Sequence, residues 1–335
     1  MDIEMLEFRA MTIDAIRQFL KKHDFLEVDT PSLASKLIPE SSIEVFKTAY
    51  INPYSKTNHD LFLLPSCELY VKQLIAQHKR SCFQVSKCYR NCESIGEQHN
   101  PEFTMVEYYD VGKTYITSID MTESLLVFII DCLKDSPLLS SSSVEKVKKG
   151  FLVKTMDELF VEYAHFSLAK EHSKEVLQEK AHFLQSELAE NDEKMNESEL
   201  FDLIFVHTIE PLLPKDRLVV VIDYPYFSSC LAKEKEVKME DGFQWQVKER
   251  WELYGDGLEL CNCYTEERDE DKMRDYFERE EKLKEEAITP HSCLESFPKI
   301  CSQLPECTGV AMGIDRLIMF LVGRKRIDAV IPFAF

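Results

Sequence analysis

Long apolar runs are missing from this 335-residue chain, and none approaches the roughly 20 residues that span a bilayer. The opening residues, MDIEMLEFRAM, lack a basic segment followed by a purely apolar core, so no secretory signal is expected and the chain should stay in the cytosol. Cations are in deficit too. The 40 Lys and Arg stand against 60 Asp and Glu, and the net charge of −20 argues against broad binding to a phosphate backbone. Transfer RNA is therefore a disfavoured partner, although one local basic groove would escape so global a count. The eleven cysteines contain no Cys-x-x-Cys pair, even where Cys82, Cys88 and Cys92 or Cys261 and Cys263 cluster. Buried reduced thiols are the default for such a chain, with structural zinc the minor alternative. No internal repeat is present. What remains is a globular composition, 44% hydrophobic and 30% charged. Its length suits two or three average domains, or one large catalytic domain with an insertion.

The stretch Cys82–Asp110, CFQVSKCYRNCESIGEQHNPEFTMVEYYD, organises the rest. Phe83–Tyr89 reads as a strand ending on Arg90, a polar loop follows over Asn91–Gln98, and Glu102–Tyr109 reads as a returning strand. Its alternation puts Phe103, Met105 and Glu107 on one face and Glu102, Thr104, Val106 and Tyr108 on the other. The result is a long-looped antiparallel hairpin carrying a guanidinium, an imidazole, an aromatic face and a carboxylate. Those groups suit a nucleotide together with an amino acid. The plainer reading is a solvated charged face.

Along the rest of the chain, Glu4–His23 has the spacing of an amphipathic helix, and Asp24–Pro31 that of a short strand closed by proline. Ser41–Tyr54 reads as strand and loop, and Asp60–Leu64 as a short strand. Glu68–Gln77 reads as a helix with Ser66 and Glu68 at its entrance, where serine is usually a cap and glutamate is favoured by the helix dipole. Tyr115–Leu133 is a further helix. Ser136–Ser143, SPLLSSSS, reads as a linker, and Glu145–Lys215 as helical with little sign of strand, so 136–215 is expected to be a helical insertion. Val219–Tyr226 is a buried strand, and Glu249–Leu260 an alternating one with a turn near Gly255–Gly257. Glu266–Glu286 is charged throughout and reads as an exposed helix with a solvated face. Gly309–Val322 reads as a glycine-bearing strand running into an apolar helix.

Three separated segments supply candidate chemistry: the hairpin with Arg90, His99, Asn100, Phe103 and Glu107; GLELCNCYTE with Glu259, Asn262 and Glu266; and GVAMGIDR with Arg316 behind Gly309, Ala311 and Gly313. Glycine lets a backbone approach a ligand, and arginine can hold a polyphosphate. In this order the segments closely resemble motifs 2 and 3 of class II lysyl-tRNA synthetases, and helix plus FLEVDTP resembles their motif 1. They are closer still to the short paralogous family of lysine ligases that modify elongation factor P. The resemblance covers essentially the whole chain.

It implies an α+β fold, a class II synthetase-like antiparallel sheet flanked by helices, with motif 1 at a homodimer interface. It implies ATP and Mg²⁺ as cofactors and adenylation as the chemistry. By position, Arg90 would bind the α-phosphate and the substrate carboxylate, and His99 the outer phosphates. Phe103 would stack on adenine, with Arg316 on its other face or on the γ-phosphate. Glu93, Asn100 and Gly313 complete the ATP set. Glu259 would hold the metal, with Glu252 a weaker candidate. Ser66, Glu68, Glu107, Tyr109, Asn262, Glu266 and Ala311 would receive the amino acid, with Glu68 and Glu107 at amino groups, Asn262 at the carboxylate and Glu266 at the distal ammonium. Arg90, Glu259 and Arg316 are the expected catalytic set.

Two differences select within the resemblance. The synthetases carry an anticodon-binding barrel ahead of motif 1, whereas motif 1 here falls within the first thirty residues. They also resemble GLGIGIDR, with glycine where Ala311 stands, whereas the ligases resemble GVALGVDR. One methyl on a pocket wall is worth about 1–3 kcal/mol of discrimination, enough to bias between α-lysine and β-lysine. The family's RNEE is RNCE here, placing Cys92 where a carboxylate is usual. Its NGF-x-E is NCYTE, placing Cys263 where glycine is usual, and a cysteine would be strained there if the backbone were left-handed. The resulting expectation is ATP-dependent activation of lysine, preferably (R)-β-lysine, and its ligation to elongation factor P. A truncated lysyl-tRNA synthetase and a non-catalytic ATP- or lysine-binding paralogue are the alternatives. Lys72 and Lys87 are expected at the pocket border, where they would steer an acceptor.

Overall fold

The computed structural model describes residues 2–92, 96–184 and 195–335. The chain runs α1 (Ile3–Lys22), β1 (Leu26–Glu27), β2 (Leu33–Ala34), β3 (Lys47–Ile51), β4 (Asn58–Leu63), α2 (Glu68–His78), β5 (Cys82–Tyr89), β6 (Glu102–Val111), α3 (Tyr115–Cys132) and α4 (Ser141–Lys148). It continues β7 (Leu152–Thr155), α5 (Met156–Leu159), α6 (Lys174–Leu184), α7 (Glu197–Ile204), β8 (Val219–Pro225), β9 (Glu234–Lys238), β10 (Gln244–Gly255), β11 (Leu258–Thr265), α8 (Glu270–Glu285), α9 (Phe297–Cys301), β12 (Cys307–Gly313) and α10 (Ile314–Val322). A nine-stranded sheet is ordered β1-β5-β6-β12-β11-β10-β8-β7, with β9 on the far half of β10. Its centre is antiparallel, and the edge pairs β1–β5 and β7–β8 are parallel. A smaller sheet, β2-β4-β3, packs beside it.

Strand alternation builds the two faces. Val106, Tyr108, Trp251, Leu253, Cys261, Cys263, Val310 and Met312 point into one core with Phe8, Ile16 and Phe19 of α1, Leu125 and Ile129 of α3 and the apolar face of α10. The intervening residues turn to the opposite face. There the register aligns Glu107 with Ala311, Ala311 with Asn262 and Asn262 with Glu252, so four strands contribute one row. Tyr109, Gly309, Tyr264 and Arg250 form the next row. Gly309 is required in it, because an added Cβ would lie 2.6 Å from the Tyr109 ring and 2.7 Å from Glu266 Oε1.

Several expectations need correction. Ser136–Ser143 is not a tether: Ser140 caps α4, and the Ser143 hydroxyl donates to the Phe320 carbonyl at 2.6 Å, docking the run on α10. The segment 136–215, of which residues 185–194 lie outside the described part, contains a strand. Leu152–Thr155 pairs with Val219–Ile222 at the sheet edge, and only four residues long, it was hidden between helical patterns. The charged stretch from residue 266 to 286 is not a solvated face alone. Met273, Tyr276, Phe277, Glu280 and Lys284 of α8 are buried on one side of it. Cys263 lies within β11, is absent from the residues of positive φ, and packs its thiol 3.1 Å from Ser118 Oγ and 3.2 Å from Thr308 Oγ1. The feared strain is not there; Cys92, by contrast, does have φ +58°, in an exposed turn.

One buried ion pair joins the first helix to the last. Arg9 Nη1 meets Asp315 Oδ1 at 2.5 Å, Arg9 Nη2 donates to Thr104 Oγ1 at 2.6 Å, and Asp315 Oδ2 accepts the Thr104 amide at 2.6 Å. Removing one partner strands the other charge out of water. Arg9→Met should lower unfolding stability by about 3–5 kcal/mol, read as a fall in the urea midpoint at constant slope. A loss below about 1 kcal/mol would mean that the pair does not organise the α1–β6–α10 junction.

Candidate active site

A cavity of about 440 Å³ opens on the polar face of the sheet. It is of the size expected for a small-molecule site. Arg90, His99, Asn100, Phe103, Glu107 and Tyr109 reach it from the β5–β6 hairpin, Ser66 and Glu68 from the start of α2, and Glu252, Glu259, Asn262 and Glu266 from β10, β11 and the residue after it. Ala311, Gly313 and Arg316 close it from β12 and α10. Glu93 lies outside the described residues. No described residue between 136 and 215 lines the cavity.

One end is acidic. Lys72, 1% exposed, is ion-paired to Glu68 and, at 2.5 Å, to Glu266 Oε2. Glu68 Oε1 also accepts the Tyr264 hydroxyl at 3.0 Å. Glu107 accepts Ser66 Oγ at 2.6 Å, the Cys67 amide at 3.1 Å and the Tyr109 hydroxyl at 2.9 Å. Glu40, from the loop between β2 and β3, brings a fourth carboxylate. Four carboxylates thus face one ammonium. Burial and the proximity of Glu68 push Glu40 up to about 7, and burial, only partly offset by Lys72, pushes Glu266 up to about 8. Burial likewise raises Glu107, against its bond from Ser66, while Glu68 and Glu266 hold Lys72 protonated. Glu266 Oε1 and Asn262 Oδ1 are buried without a hydrogen-bond partner among the described residues.

The other end carries the arginines. Arg90 lies over the Phe103 ring at 5.3 Å. Arg316 Nη2 is 2.7 Å from His99 Nε2, and its Nη1 donates to the Glu259 carbonyl at 3.2 Å and carboxylate at 3.4 Å. Glu252 is already committed: Arg250 and the hydroxyls of Tyr224 and Tyr254 donate to it at 2.5, 2.6 and 2.5 Å. Asn100 is also engaged by protein, donating to the Glu102 carbonyl at 2.6 Å and accepting the Phe335 amide at 2.9 Å.

A divalent cation fits this end in one way. Burial and the neighbouring Glu252 raise Glu259, against Arg316, Arg250 and Arg90. No group of three or more His, Cys, Asp or Glu side chains that could hold a metal exists among the described residues. One or two carboxylates are what Mg²⁺ takes from a protein when phosphates supply the rest. Glu259 is the ligand at hand, and Glu252 would first have to share its bonds to Arg250 and the two tyrosines.

Sequence reasoning missed part of the lining. Glu40, Ser42 and Ile43 come from one rim loop, Ser229, Cys230 and Leu231 from another, and Tyr276 from α8. Tyr276 could have been found, since Met273, Tyr276, Phe277 and Glu280 follow helical spacing; the loop residues carry no periodic signal. Lys72 does not border the mouth but is sealed beneath the acidic end, and Lys87 pairs with Glu102 at 3.1 Å outside the cavity lining.

Residues 3–335 match the family described as tRNA synthetases class II (D, K and N). An elongation factor P–(R)-beta-lysine ligase of Avibacterium paragallinarum is 32% identical over 335 residues, which cover 99% of this chain and 95% of the relative. A protein of the same name from Haemophilus influenzae (strain PittGG) is 32% identical over 336 residues, covering 99% and 95%. Another from Vibrio cholerae is 31% identical over 335 residues, covering 99% and 96%.

The acidic end predicts a pH dependence. An ammonium ligand selects ionised Glu40 and Glu266, and its own charge is constant across neutral pH. Affinity for a diamine such as 1,5-diaminopentane should therefore rise as pH passes through about 7 and about 8, and level off above that. Calorimetric titrations at intervals across this range test it. A dissociation constant that stays flat would contradict the assignment of an excess of carboxylates to this end.

Proposed function

The chain belongs to the class II tRNA synthetase family, and from that premise we propose that it activates lysine, preferentially (R)-β-lysine, as the adenylate and transfers it to a lysine side chain of elongation factor P. The observation that carries the reading is the division of one cavity into an acidic end and an arginine end. Such a cavity suits an amino acid with two ammonium groups at one side and a polyphosphate at the other. The names of the relatives supply the acceptor and the β-isomer. Ala311, whose methyl group stands on the cavity wall between Glu107 and Asn262, is the specificity position.

In the proposed reaction the substrate carboxylate, ionised at neutral pH, attacks the α-phosphorus of ATP, the bond to the β-phosphate oxygen breaks, and pyrophosphate leaves. Arg90 holds the α-phosphate and carboxylate together, His99 and Arg316 receive the outer phosphates, and Phe103 offers a face to adenine. Magnesium, held by Glu259 with Glu252 beside it, would neutralise phosphate charge. Glu266 Oε1 is open to the distal ammonium. The acceptor amine then attacks the mixed anhydride and releases AMP. The whole chain forms one catalytic domain with 136–215 as its insertion, and it works in the cytoplasm; among the described residues no helix is long and apolar enough to cross a membrane. Ile3, Leu6 and Met11 of α1 and Leu26 of β1 are exposed apolar residues, which supports a homodimer through this region. The net charge of −20 weighs against tRNA as the acceptor.

The deciding experiment is ATP–pyrophosphate exchange with α-lysine, with β-lysine and with no amino acid. Exchange should require one of the two amino acids. Arg316→Ala and Glu259→Gln should each cut it by about 10²–10³-fold while leaving the melting temperature near that of the parent. Near-parental exchange by either variant would show that the phosphate end has been placed wrongly.

A further inference from the structure

Of the four carboxylates that the described residues bring to the acidic end, three have partners among those residues and one does not. Glu68 and Glu266 share Lys72, and Glu107 takes three protein donors. Glu40 has no side-chain hydrogen bond or ion pair among the described residues; only its backbone carbonyl is engaged, by the Ile43 amide at 3.2 Å. Glu40 lines the same cavity as Glu68, Glu107 and Arg90, and after burial the charges of Glu68 and Arg90 act on it most strongly. It therefore offers its carboxylate to the cavity shared by the acidic end and the arginine that would hold the reacting carboxylate.

The loop that carries Glu40 is fixed rather than free. The Ser41 amide donates to Glu280 Oε2 at 2.9 Å, and Lys284 Nζ donates to the Ile43 carbonyl. Both α8 residues are 2% exposed. Glu280 Oε1 also accepts Ser229 Oγ at 2.6 Å, which ties the opposite rim loop to the same helix. A buried face of α8 thus holds the loop of Glu40 in place beside the cavity, at the cost of two buried charges. Glu266 Oε1 in the same cavity, without a partner among the described residues, independently calls for a donor such as an ammonium, since an unpaired buried acceptor costs free energy that a bound donor recovers.

We propose that Glu40 is a further ligand for the ammonium nearer the reacting carboxylate of the amino acid, with Glu280 and Lys284 as its positioning residues. This rests on the function proposed above. Glu68 and Glu107 line the same end and keep hydrogen bonds within the protein, so Glu40 adds a carboxylate to theirs.

The test compares the active amino acid, α- or β-lysine, with 6-aminohexanoate, which keeps the carboxylate and distal ammonium but has no proximal one. Pyrophosphate exchange gives KM for each, and for ATP. Glu40→Gln should raise KM for the diamino acid by about tenfold or more and leave 6-aminohexanoate and ATP within about twofold. Glu40→Asp, which keeps the charge on a shorter arm, should lie between, and serves the same comparison if the amide variant folds poorly. Glu280→Gln should act in the same direction as Glu40→Gln, again without moving KM for ATP. An unchanged KM for the diamino acid in both Glu40 variants, or equal losses on the two amino acids, overturns the inference. Parental protein that exchanges with neither lysine would instead remove the proposed function beneath it.

Discussion

Lys72 is sealed beneath the cavity floor with its ammonium bridging Glu68 and Glu266, and the rest of the site follows from that arrangement. Burying a charge costs several kcal/mol, and a buried pair regains this only where geometry and further hydrogen bonds are good. Here one cation serves more than one anion, so the cluster is poorly explained as a device for stability. The residual negative charge is directed at a space that a ligand can fill. Glu107 is held by three donors, Glu266 Oε1 has no partner among the described residues, and Glu40 lines the same cavity. The diamino acid proposed as substrate would complete what the fold leaves unbalanced.

The sheet makes this possible by separating two tasks along each strand. Residues at one parity, Val106, Tyr108, Cys261, Cys263, Val310 and Met312, fill the core beneath α1, α3 and α10. Residues at the other, Glu107, Ala311, Asn262 and Glu252, form a single polar row across four strands. A substitution such as Cys263 for glycine falls on the core side and fills space without touching the ligand face. At Ala311 the same sort of change alters the cavity wall itself. The Arg9–Asp315 pair then fixes α1 and α10 to β6, so that the arginine end at Arg316 holds its place relative to the hairpin.

Much of this was legible in the sequence. Alternation over Phe103–Tyr109 predicted the correct cavity-facing side chains, and the order of the three motif segments brought Arg90, Glu259 and Arg316 into one site. Local periodicity could not show which carboxylates would be internally satisfied. That depends on partners far away in sequence, such as Ser66 for Glu107 and Tyr264 for Glu68. The rim loops were invisible for the same reason. Glu40 and Ser229 owe their positions to Glu280 and Lys284, and charges on a strongly acidic helix read as solvent-facing until the fold buries them. A four-residue edge strand among helices, Leu152–Thr155, carries too little pattern to stand out.

The central claim is that this synthetase-like site delivers an activated lysine-type amino acid to a protein. The most direct measurement is a competition with radiolabelled (R)-β-lysine, ATP, bulk tRNA and elongation factor P from the same organism in one reaction, followed by separation of protein from RNA. The account predicts ATP-dependent label on elongation factor P, lost when the acceptor lysine is replaced, and none above background on tRNA. Label on tRNA with the protein left unmodified would contradict it.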